Sequence, residues 1–350
     1  MANLSFVKYD DSLKEAWEEI NKNAQASFLT SIDWIEFQKY LGKETELFLI
    51  KDEDSFIGNF YIEIYRRRIS KYAYSPYGPV LDLKKINNLE NIFIEIRNFQ
   101  KEFIQQRSLN CFRMDPLTEA SLLNTFTKIG YVKAMAPTQA KYVWEIDITK
   151  SEDELLREMK KVARYNIKKS SEVGFKVMQT ESVEDINNFY AILSETFRRQ
   201  QFTSFGKEYF IKQFEQLYSK GLCKVFLCYK KGEKGKKFVS AALINVFNKK
   251  AFYSHGGSLS DPEAQKYGAS YLLHWEIIKS LKELGIEKYN MWGVVPEGMN
   301  VKSGMKGVSD FKKRFGGYQI DYVGALDLPN RFMYSIQRLA EYFIYRKDRY

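Results

Sequence analysis

The sequence has few of the residues that build metal sites and disulfide frameworks. Its 350 residues include only three Cys and two His. Cys111 stands alone, and Cys223 and Cys228 lie five residues apart in an apolar run. Structural zinc sites use closer cysteine pairs, so this arrangement argues against one. An odd number of cysteines also argues against a disulfide scaffold. We therefore expect no structural metal, and a chain of this length can bury a sufficient core without one.

Long apolar runs are also missing. Residues 1–20 contain acids where a signal peptide needs an apolar core. No stretch approaches the ~18 consecutive apolar residues that a membrane-spanning helix requires. We therefore expect a soluble, cytoplasmic protein.

Basic residues outnumber acidic ones. There are 54 Lys and Arg against 44 Asp and Glu, which gives a formal net charge of +10. This excess indicates an acidic partner such as nucleic acid, nucleotide phosphate or an anionic membrane face. A basic surface that only keeps the protein soluble is an equally good interpretation of charge alone. The 16% aromatic content excludes a disordered chain.

Helical and strand-like segments alternate along the whole chain, and the length suggests two domains. In the second half, a strand over 251–255 leads through two glycines to a helix over 270–284 and a strand over 287–292. This order is typical of N-acetyltransferase cores, although many other α/β domains share it.

One segment combines a clear helix start with a basic face. Ser151 and Glu154 form a capping box, and the pattern predicts one helix over 151–172. Four cations recur on one face of it: Arg157, Lys161, Arg164 and Lys168. This face is either a contact for RNA phosphates or a solvated surface beside a core stripe.

Eight phrases occur in a distinctive order. They are FLTSIDWIEFQK (28–39), YSPYGPVLD (74–82), FRMDP (112–116), MKKVARYNIKKSSEVGFKV (159–177), YSHGGS (253–258), YLLHWEIIK (271–279), YNMWGVVP (289–296) and GVSDFKKRFGGYQIDYVGALDL (307–328). In order and spacing the chain resembles the FemABX family of aminoacyl-tRNA-dependent peptidyltransferases. The stretch over 289–328 is the most specific part.

The resemblance implies an α/β (α+β) fold of two tandem GNAT-like domains, that is, domains of the N-acetyltransferase type. Domain 1 would comprise residues 1–148 and a returning C-terminal helix within 327–350, and domain 2 would comprise residues 149–326. Some family members carry a coiled-coil insertion in domain 2. The absence of sustained heptads here predicts the form without it.

The resemblance also implies a reaction. An amino acid would move from aminoacyl-tRNA, the co-substrate, to the stem-peptide amine of a peptidoglycan precursor, either lipid-linked (lipid II-type) or UDP-linked (UDP-MurNAc-pentapeptide). No metal or redox cofactor is required. The tRNA phosphates could contact a basic patch that includes Lys161, Arg164 and Lys168, or a second one formed by Arg66–Arg68 and Lys71. The inner membrane face is a further implied partner, through a peripheral contact. Two alternatives stay open: an acyl-CoA-dependent N-acyltransferase on the same scaffold, and a non-enzymatic binder of RNA or other anions.

Two residues match the catalytic positions that the resemblance implies. Lys312 corresponds to the lysine of the family's Phe-Lys pair, and its ammonium could stabilise the oxyanion of the reacting ester. Phe311 could hold Lys312 by a cation–π contact and belongs to the substrate-binding set. Asp115 matches an acidic position and is the candidate general base or amine-orienting group. The plainer interpretations are a solvated basic loop for Lys312 and an Asp-Pro turn for Asp115.

Tyr209 and Tyr253 match family tyrosines that line the precursor pocket, although half-buried core tyrosines are as common. His255 lies at a strand end beside two glycines and could act as a base, but histidines satisfied within the fold are commoner. His274 is mid-helix, and we expect it to be incidental.

The chain departs from the family at two cationic positions that hold the nucleotide diphosphate of the soluble precursor. Gln38 stands where the family often has Lys, with Lys39 next to it. Phe205 stands where the family often has Arg, with Arg199 upstream. Lys39 and Arg199 are candidate substitutes, but a shift of one residue on a helix turns a side chain by ~100°. These departures favour a lipid-linked or a divergent acceptor over a UDP-linked one.

Overall fold

The computed structural model describes residues 4–135, 138–200, 205–233, 235–299, 303–330 and 332–345. The chain divides into two compact units. The first comprises Met1–Lys141 and Asp321–Tyr350, and the second comprises Tyr142–Ile320. Residues 1–3 and 346–350, which the sequence assigns to domain 1, lie outside the described residues.

Up to residue 141 the strands are β1 (Leu4–Lys8), β2 (Glu44–Asp52), β3 (Ser55–Arg66), β4 (Lys71–Ser75), β5 (Val80–Leu81), β6 (Cys111–Met114) and β7 (Val132–Lys133). The α-helices there are α1 (Lys14–Asn23), α2 (Ile32–Tyr40), α3 (Leu89–Gln106) and α4 (Leu123–Lys128). Short 3-10 helices cover Asp11–Leu13, Phe28–Thr30, Leu83–Lys85 and Ala120–Leu122.

The later strands are β8 (Tyr142–Asp147), β9 (Phe175–Thr180), β10 (Cys223–Gly232), β11 (Gly235–Phe247), β12 (Lys250–Ser258), β13 (Lys288–Gly293), β14 (Tyr318–Asp321) and β15 (Leu326–Pro329). The later helices are α5 (Glu152–Glu158), α6 (Lys161–Glu172), α7 (Asp185–Gln200), α8 (Lys207–Leu217), α9 (Pro262–Tyr267), α10 (Ala269–Glu283), α11 (Ser303–Lys313) and α12 (Phe332–Tyr345).

The sheet of the first unit has the order β1-β2-β3-β4-β6-β15-β7, and β5 pairs with β3. Its neighbouring strands are antiparallel except for β4 and β6, which are parallel. Helix α3 connects these two strands and packs its apolar stripe on the sheet, where Phe103 meets the rings of Phe48 and Phe112. Burial of such aromatic side chains is the main stabilising contribution to this layer.

A buried ion-pair network attaches the C-terminal helix to the first unit. Arg113 on β6 donates to both carboxylate oxygens of Asp327 on β15, at 2.7 and 2.8 Å, and also to Glu341 on α12 at 2.8 Å. All three side chains are buried. The Arg113 guanidinium donates to both carboxylates, so none of the three buried groups is left without a partner of opposite charge. This pairing offsets the cost of removing the charges from water.

The sheet of the second unit has the order β14-β8-β13-β12-β11-β10-β9. It repeats the pattern of the first sheet: a run of antiparallel strands ends at one parallel pair, here β12 and β13. Helix α10 connects that pair and packs Leu273, Ile277 and Leu281 into the core. The long-range pattern of two similar sheets agrees with the two tandem units that the sequence predicts.

Two predicted boundaries and one predicted helix differ from the structure. Domain 2 begins at Tyr142 rather than 149, because β8 pairs with β13. It ends at Ile320 rather than 326, and β15 completes the first sheet. The single helix predicted over 151–172 is two helices, since Met159 and Lys160 are extended and the Arg164 guanidinium takes the carbonyls that end α5.

Within the described parts of the chain, the longest helix is α3 with 18 residues, and neither unit carries an inserted coiled coil there. A search of the same residues found no helix with the length and apolar character needed to cross a membrane.

Candidate active site

The parallel strands β12 and β13 separate soon after they pair. Their register joins Lys250, Ala251 and Phe252 to Lys288, Tyr289 and Asn290. Beyond this point residues 253–258 continue to pair with β11, while Gly293 pairs with β8. The two strands therefore open into a wedge, and the side chains and carbonyls at the mouth of this wedge form the candidate active site.

Lys312 occupies this wedge. It lies in the last turn of α11, and its Nζ donates a hydrogen bond of 2.7 Å to the carbonyl oxygen of Gly293 at the end of β13. The residue is only 6% exposed. Burial lowers the pKa of Lys312 from 10.5 to about 7, because the ammonium loses its hydration there.

The Tyr253 ring contacts the lysine, and His274 and Tyr289 extend from that ring. The Lys312 Nζ lies 5.8 Å from the ring centroid of Tyr253, whose ring contacts that of His274 edge-on at 4.6 Å. His274 Nδ1 in turn shares a hydrogen bond of 2.9 Å with the Tyr289 hydroxyl. Burial first, and then the nearby Lys312 charge, lower the pKa of His274 to about 3, so this imidazole is neutral at physiological pH. We call Lys312, Tyr253, His274, Tyr289 and Gly293 the Lys312 cluster.

Helix α11 is fixed to the strand end by several hydrogen bonds. The Val295 amide donates to Ser309 Oγ at 2.8 Å, and Lys313 Nζ donates to the Val295 carbonyl at 3.1 Å. After the helix, Gly317 has a φ of +90°, and an added Cβ would lie 2.3 Å from the Glu145 carbonyl oxygen. Only glycine fits there, which explains part of the FGG phrase. The lysine is thus placed by a rigid segment.

Phe311 is next to Lys312, but its ring faces elsewhere. It packs against Tyr271 at 4.9 Å, Phe315 at 5.3 Å and His274 at 5.4 Å between centroids. The ring over which the Lys312 ammonium lies is that of Tyr253. The expected cation–π contact of Lys312 with Phe311 is therefore replaced by one with Tyr253, because consecutive residues on a helix point about 100° apart.

A β-bulge separates two of the predicted residues. On β12, Tyr253 pairs with Ile244 and His255 pairs with Leu243, so Ser254 is the extra residue. Because Leu243 and Ile244 are consecutive, Tyr253 and His255 lie on opposite faces of the sheet. Tyr253 faces α10, whereas His255 packs on Phe210 of α8 at 5.0 Å.

Tyr209 belongs with His255 rather than with the Lys312 cluster. Its ring stacks on Phe205 at 4.0 Å and meets Phe210 at 5.3 Å. Burial lowers the pKa of His255 to about 4, so it is a neutral packing residue on this face. The structure therefore brings Tyr253 and Lys312 together and places Tyr209 on the other side of the sheet.

Asp115 lies in the first unit, directly after β6. Its Oδ2 accepts a hydrogen bond of 2.7 Å from the Tyr74 hydroxyl, and the carboxyl is fully enclosed. Burial raises the pKa of Asp115 from 3.8 to about 7, although Tyr74 and Arg113 act in the opposite direction. A carboxyl with this pKa could exchange a proton near neutral pH.

The structure shows where the residues at the two departures from the family pattern lie. Gln38 and Lys39 are on α2, and Arg199 is on α7. Gln38 is buried and its Nε2 lacks a hydrogen-bond partner, whereas the adjacent Lys39 is exposed. Lys39 thus does not occupy the place of Gln38. In the second unit, Arg199 is exposed and donates to Ser260 Oγ at 3.0 Å.

The three cations of α6 share one exposed face. Lys161 is open to solvent, and Lys168 lies 4.0 Å from Glu172 one turn on. Arg164 differs, since its guanidinium is engaged with the carbonyls of Leu156 and Arg157 at 3.3 Å. Lys161 and Lys168 are therefore the members available for phosphate contact.

Some residues of this site were missed in the sequence. His274 was expected to be incidental, yet it lies against Tyr253 and near Lys312. Tyr289 was unassigned, although its phrase YNMWGVVP was noted. Trp292 in the same phrase has a φ of +64°, a conformation rare for a bulky residue, and its amide donates to Asn290 Oδ1 at 2.8 Å. The aromatic phrase at a strand end is the signal that the sequence offers for these residues.

The cluster has a defined chemical capacity. An amine with a pKa of about 7 is present in both protonation states near neutral pH. As ammonium it can stabilise an oxyanion in a site with little water, and as amine it can accept a proton. His274 stays neutral beside it and so adds no repelling charge.

Comparison with known proteins places the chain in context. The model of the FemAB family matches residues 13–229 and 224–342. Aminoacyltransferase FemA of Staphylococcus epidermidis is 22% identical over 357 residues, covering 77% of this chain and 83% of the relative. These findings confirm the resemblance noted in the sequence.

Solved structures agree on the architecture. The crystal structure of FemX superposes with a TM-score of 0.80 at 16% identity, covering 95% of this chain and 99% of the other. A tandem GNAT protein from the clavulanic acid biosynthesis pathway gives a TM-score of 0.56 at 9% identity, with 93% and 98% covered. Likenesses at this identity show the fold alone, and they confirm the prediction of two tandem GNAT-like units.

Proposed function

Because the chain belongs to the FemAB family, we propose that it is an aminoacyltransferase that moves an amino acid from aminoacyl-tRNA to the stem-peptide amine of a peptidoglycan precursor. The name of its relative, aminoacyltransferase FemA, supports the reaction class. The observation that carries the proposal is the buried Lys312 Nζ held at the Gly293 carbonyl in the wedge of the second unit.

The reaction is an aminolysis. The neutral acceptor amine attacks the ester carbonyl, a C–N bond forms, and negative charge develops on the carbonyl oxygen. The Lys312 ammonium stabilises that charge, and one such donor is typically worth ~3–4 kcal/mol of barrier. The intermediate then collapses: the C–O bond to the ribose breaks, the ribose oxygen leaves with a proton, and the amine nitrogen loses one.

The neighbours of Lys312 act as positioning residues. The Tyr253 ring supports the ammonium from one side, and the Gly293 carbonyl holds it from another. A protonated imidazole at His274 would oppose the ammonium, but burial keeps that ring neutral. Asp115, with its pKa raised to about 7, is the candidate that the family resemblance gives for a group that orients or deprotonates the acceptor amine, and its enclosed carboxyl, bonded to Tyr74, would have to become accessible to do so.

The acyl-CoA alternative has less support. Acyl-CoA enzymes place the pyrophosphate on exposed amides at a helix N-terminus. Here Gly268 precedes α10, and the Asn166 side chain packs directly against it, since an added Cβ would lie 2.6 Å from Asn166 Cγ. A side chain thus fills space that such a cradle needs.

The proposal also assigns a contact for the tRNA and the type of acceptor. Lys161 and Lys168 provide an exposed cationic face for the tRNA backbone, and binding there should weaken steeply with salt. Gln38 is buried and uncharged where a diphosphate would need a cation, and Lys39 is turned away. These two observations support a lipid-linked acceptor.

A single reaction mixture tests the proposal. Purified protein is incubated with a pool of charged tRNAs and either UDP-linked muramyl pentapeptide or its lipid-linked form, and each acceptor is analysed by mass spectrometry. We expect an aminoacyl mass on the lipid-linked acceptor with the wild type, and an initial rate of product formation about 100- to 1000-fold lower with Lys312→Met. A gain on the UDP form alone would overturn the acceptor assignment. No gain on either, with tRNA shown to be charged, would overturn the function.

A further inference from the structure

Helix α12 has the reverse of the usual polarity of a surface helix. Surface helices normally turn an apolar stripe to the core and polar residues to water. The buried side chains of α12 are Tyr334, Gln337 and Glu341. Each forms a hydrogen bond with the body of the first unit: Tyr334 with Asp327 at 3.0 Å, Gln337 with Asn110 at 3.0 Å, and Glu341 with Arg113 at 2.8 Å.

The outward face of the same helix is apolar. Phe332, Ile336 and Leu339 follow one another at spacings of four and three residues, which places them on one stripe. Their exposed fractions are 81%, 39% and 57%, and Ile344 near the helix end is 66% exposed. A contiguous exposed stripe of this kind marks a surface that binds something apolar.

Cations occur in a loop beside α12 and after the helix in the sequence. Arg66 ends β3 and pairs with Glu44 at 3.1 Å, and the loop that follows carries the exposed Arg67 and Arg68 before the exposed Ile69. Asn110 Nδ2 donates both to the Ile69 carbonyl at 2.8 Å and to the Gln337 side chain at 3.0 Å, so this loop lies beside α12. In the sequence Arg346, Lys347 and Arg349 follow the helix, outside the described residues.

We propose that the apolar face of α12 binds the surface of an anionic lipid bilayer, with the helix lying in the interfacial plane and the arginine loop on the headgroups. An amphipathic helix with aromatic and aliphatic residues on one side and flanking cations is the sequence type that binds such interfaces. A second copy of the chain is a poorer partner, because a symmetric contact through α12 would bring two identical arginine loops together. This inference does not depend on the proposed transferase activity.

Vesicle co-sedimentation of the full chain tests it. The vesicles contain either phosphatidylcholine alone or an equal mixture of phosphatidylcholine and phosphatidylglycerol. We expect binding to the mixed vesicles, weaker binding as salt rises, and at least about tenfold weaker binding for Phe332→Ser/Leu339→Ser. The matched control is Leu83→Ser/Leu284→Ser, which replaces two exposed leucines elsewhere and should bind like the wild type.

Several results would overturn the proposal. Wild-type protein that leaves both kinds of vesicle unbound excludes a lipid surface, and equal binding to both excludes the anionic requirement. Undiminished binding of Phe332→Ser/Leu339→Ser, with its circular dichroism unchanged, excludes α12 as the contact. A wild-type dimer that this variant converts to a monomer, without vesicle binding, would assign the stripe to self-association. The readouts need no catalysis, so failure of the transferase assignment would not affect them.

Discussion

Tyr253 and His255 are two residues apart on β12, yet they face opposite sides of the second-unit sheet. The bulge at Ser254 produces this divergence, and it directs Tyr253 toward Lys312 and His255 toward Phe210. The tyrosine then lies along the sheet, over the position of Gly256. The site thus depends on a strand irregularity and on a glycine that leaves room for a ring.

Gly256→Ala should lower both activity and stability. An added Cβ would lie 2.4 Å from the Tyr253 hydroxyl and 2.7 Å from the Ala241 carbonyl oxygen, so the ring must leave the Lys312 ammonium. Overpacking of this kind costs about 1–3 kcal/mol. Gly307→Ala is the control: it meets open space in α11 and should stabilise by about 0.5–1 kcal/mol. Urea unfolding and turnover together measure both, and unchanged turnover of Gly256→Ala would contradict the role of Tyr253.

Lys312→Met should lower turnover by about 100- to 1000-fold, the usual loss when one oxyanion donor is removed. Folding should persist, because methionine fills a similar volume without a buried charge. Lys306→Met is the matched control, because Lys306 lies on the same helix with its side chain exposed, and its loss should change turnover by no more than about threefold. Single-turnover assays with charged tRNA give the comparison, and equal losses in both variants would remove Lys312 from the mechanism.

The pH dependence separates the two protonation states of Lys312. Its pKa is lowered to about 7, so the ammonium fraction falls about tenfold per pH unit above that value. Lys312→Arg keeps its charge at every accessible pH. The ratio of wild-type to Lys312→Arg rates should therefore decline as pH rises from about 7 to 9, and ionisation of the acceptor amine cancels in the ratio. A ratio that rises over this range would indicate that the neutral amine acts as a base.

Asp115→Asn should change how stability depends on pH. Because the pKa of Asp115 is raised from 3.8 to about 7, the folded state retains a proton that the unfolded state has lost between these values. Stability of the wild type therefore falls as pH rises through this window, by on the order of 4 kcal/mol at most. The variant lacks this loss, so its stability relative to wild type should improve from about pH 4 to pH 8. Exposed Asp54→Asn is the control, and parallel urea profiles for all three proteins would contradict the raised pKa.

The sequence makes Lys312 a candidate because its phrase is local: Phe311 and Lys312 are adjacent, and FGG begins three residues further on, at Phe315. Asp115 was recognisable for the same reason, as a polar residue that directly follows a buried strand. The tandem architecture was also predictable, since alternation of elements and the order of phrases both extend over the whole chain.

Other features depend on partners far away in sequence. The direction of His255 is set by its register with Leu243, which no pattern around residue 255 reveals. The break before Lys160 depends on the reach of Arg164 and on the Arg314 carbonyl, which accepts the Lys160 amide. His274 belongs to the Lys312 cluster because α10 packs it against Tyr253 on β12 and Tyr289 on β13, two contacts that the helix sequence does not reveal.

Strand β15 lies between β6 and β7 in the first sheet, although about two hundred residues separate it from each of them in the chain. During synthesis from the N-terminus, β6 leaves the ribosome before its partner strand β15 exists, so one edge of β6 is unpaired. Arg113 on β6 then lacks the carboxylate of Asp327, which lies on β15. The contiguous second unit can close before residue 326 is made. The first unit is therefore the first to begin synthesis and the last to complete its fold, because its C-terminal segment is made after the whole second unit.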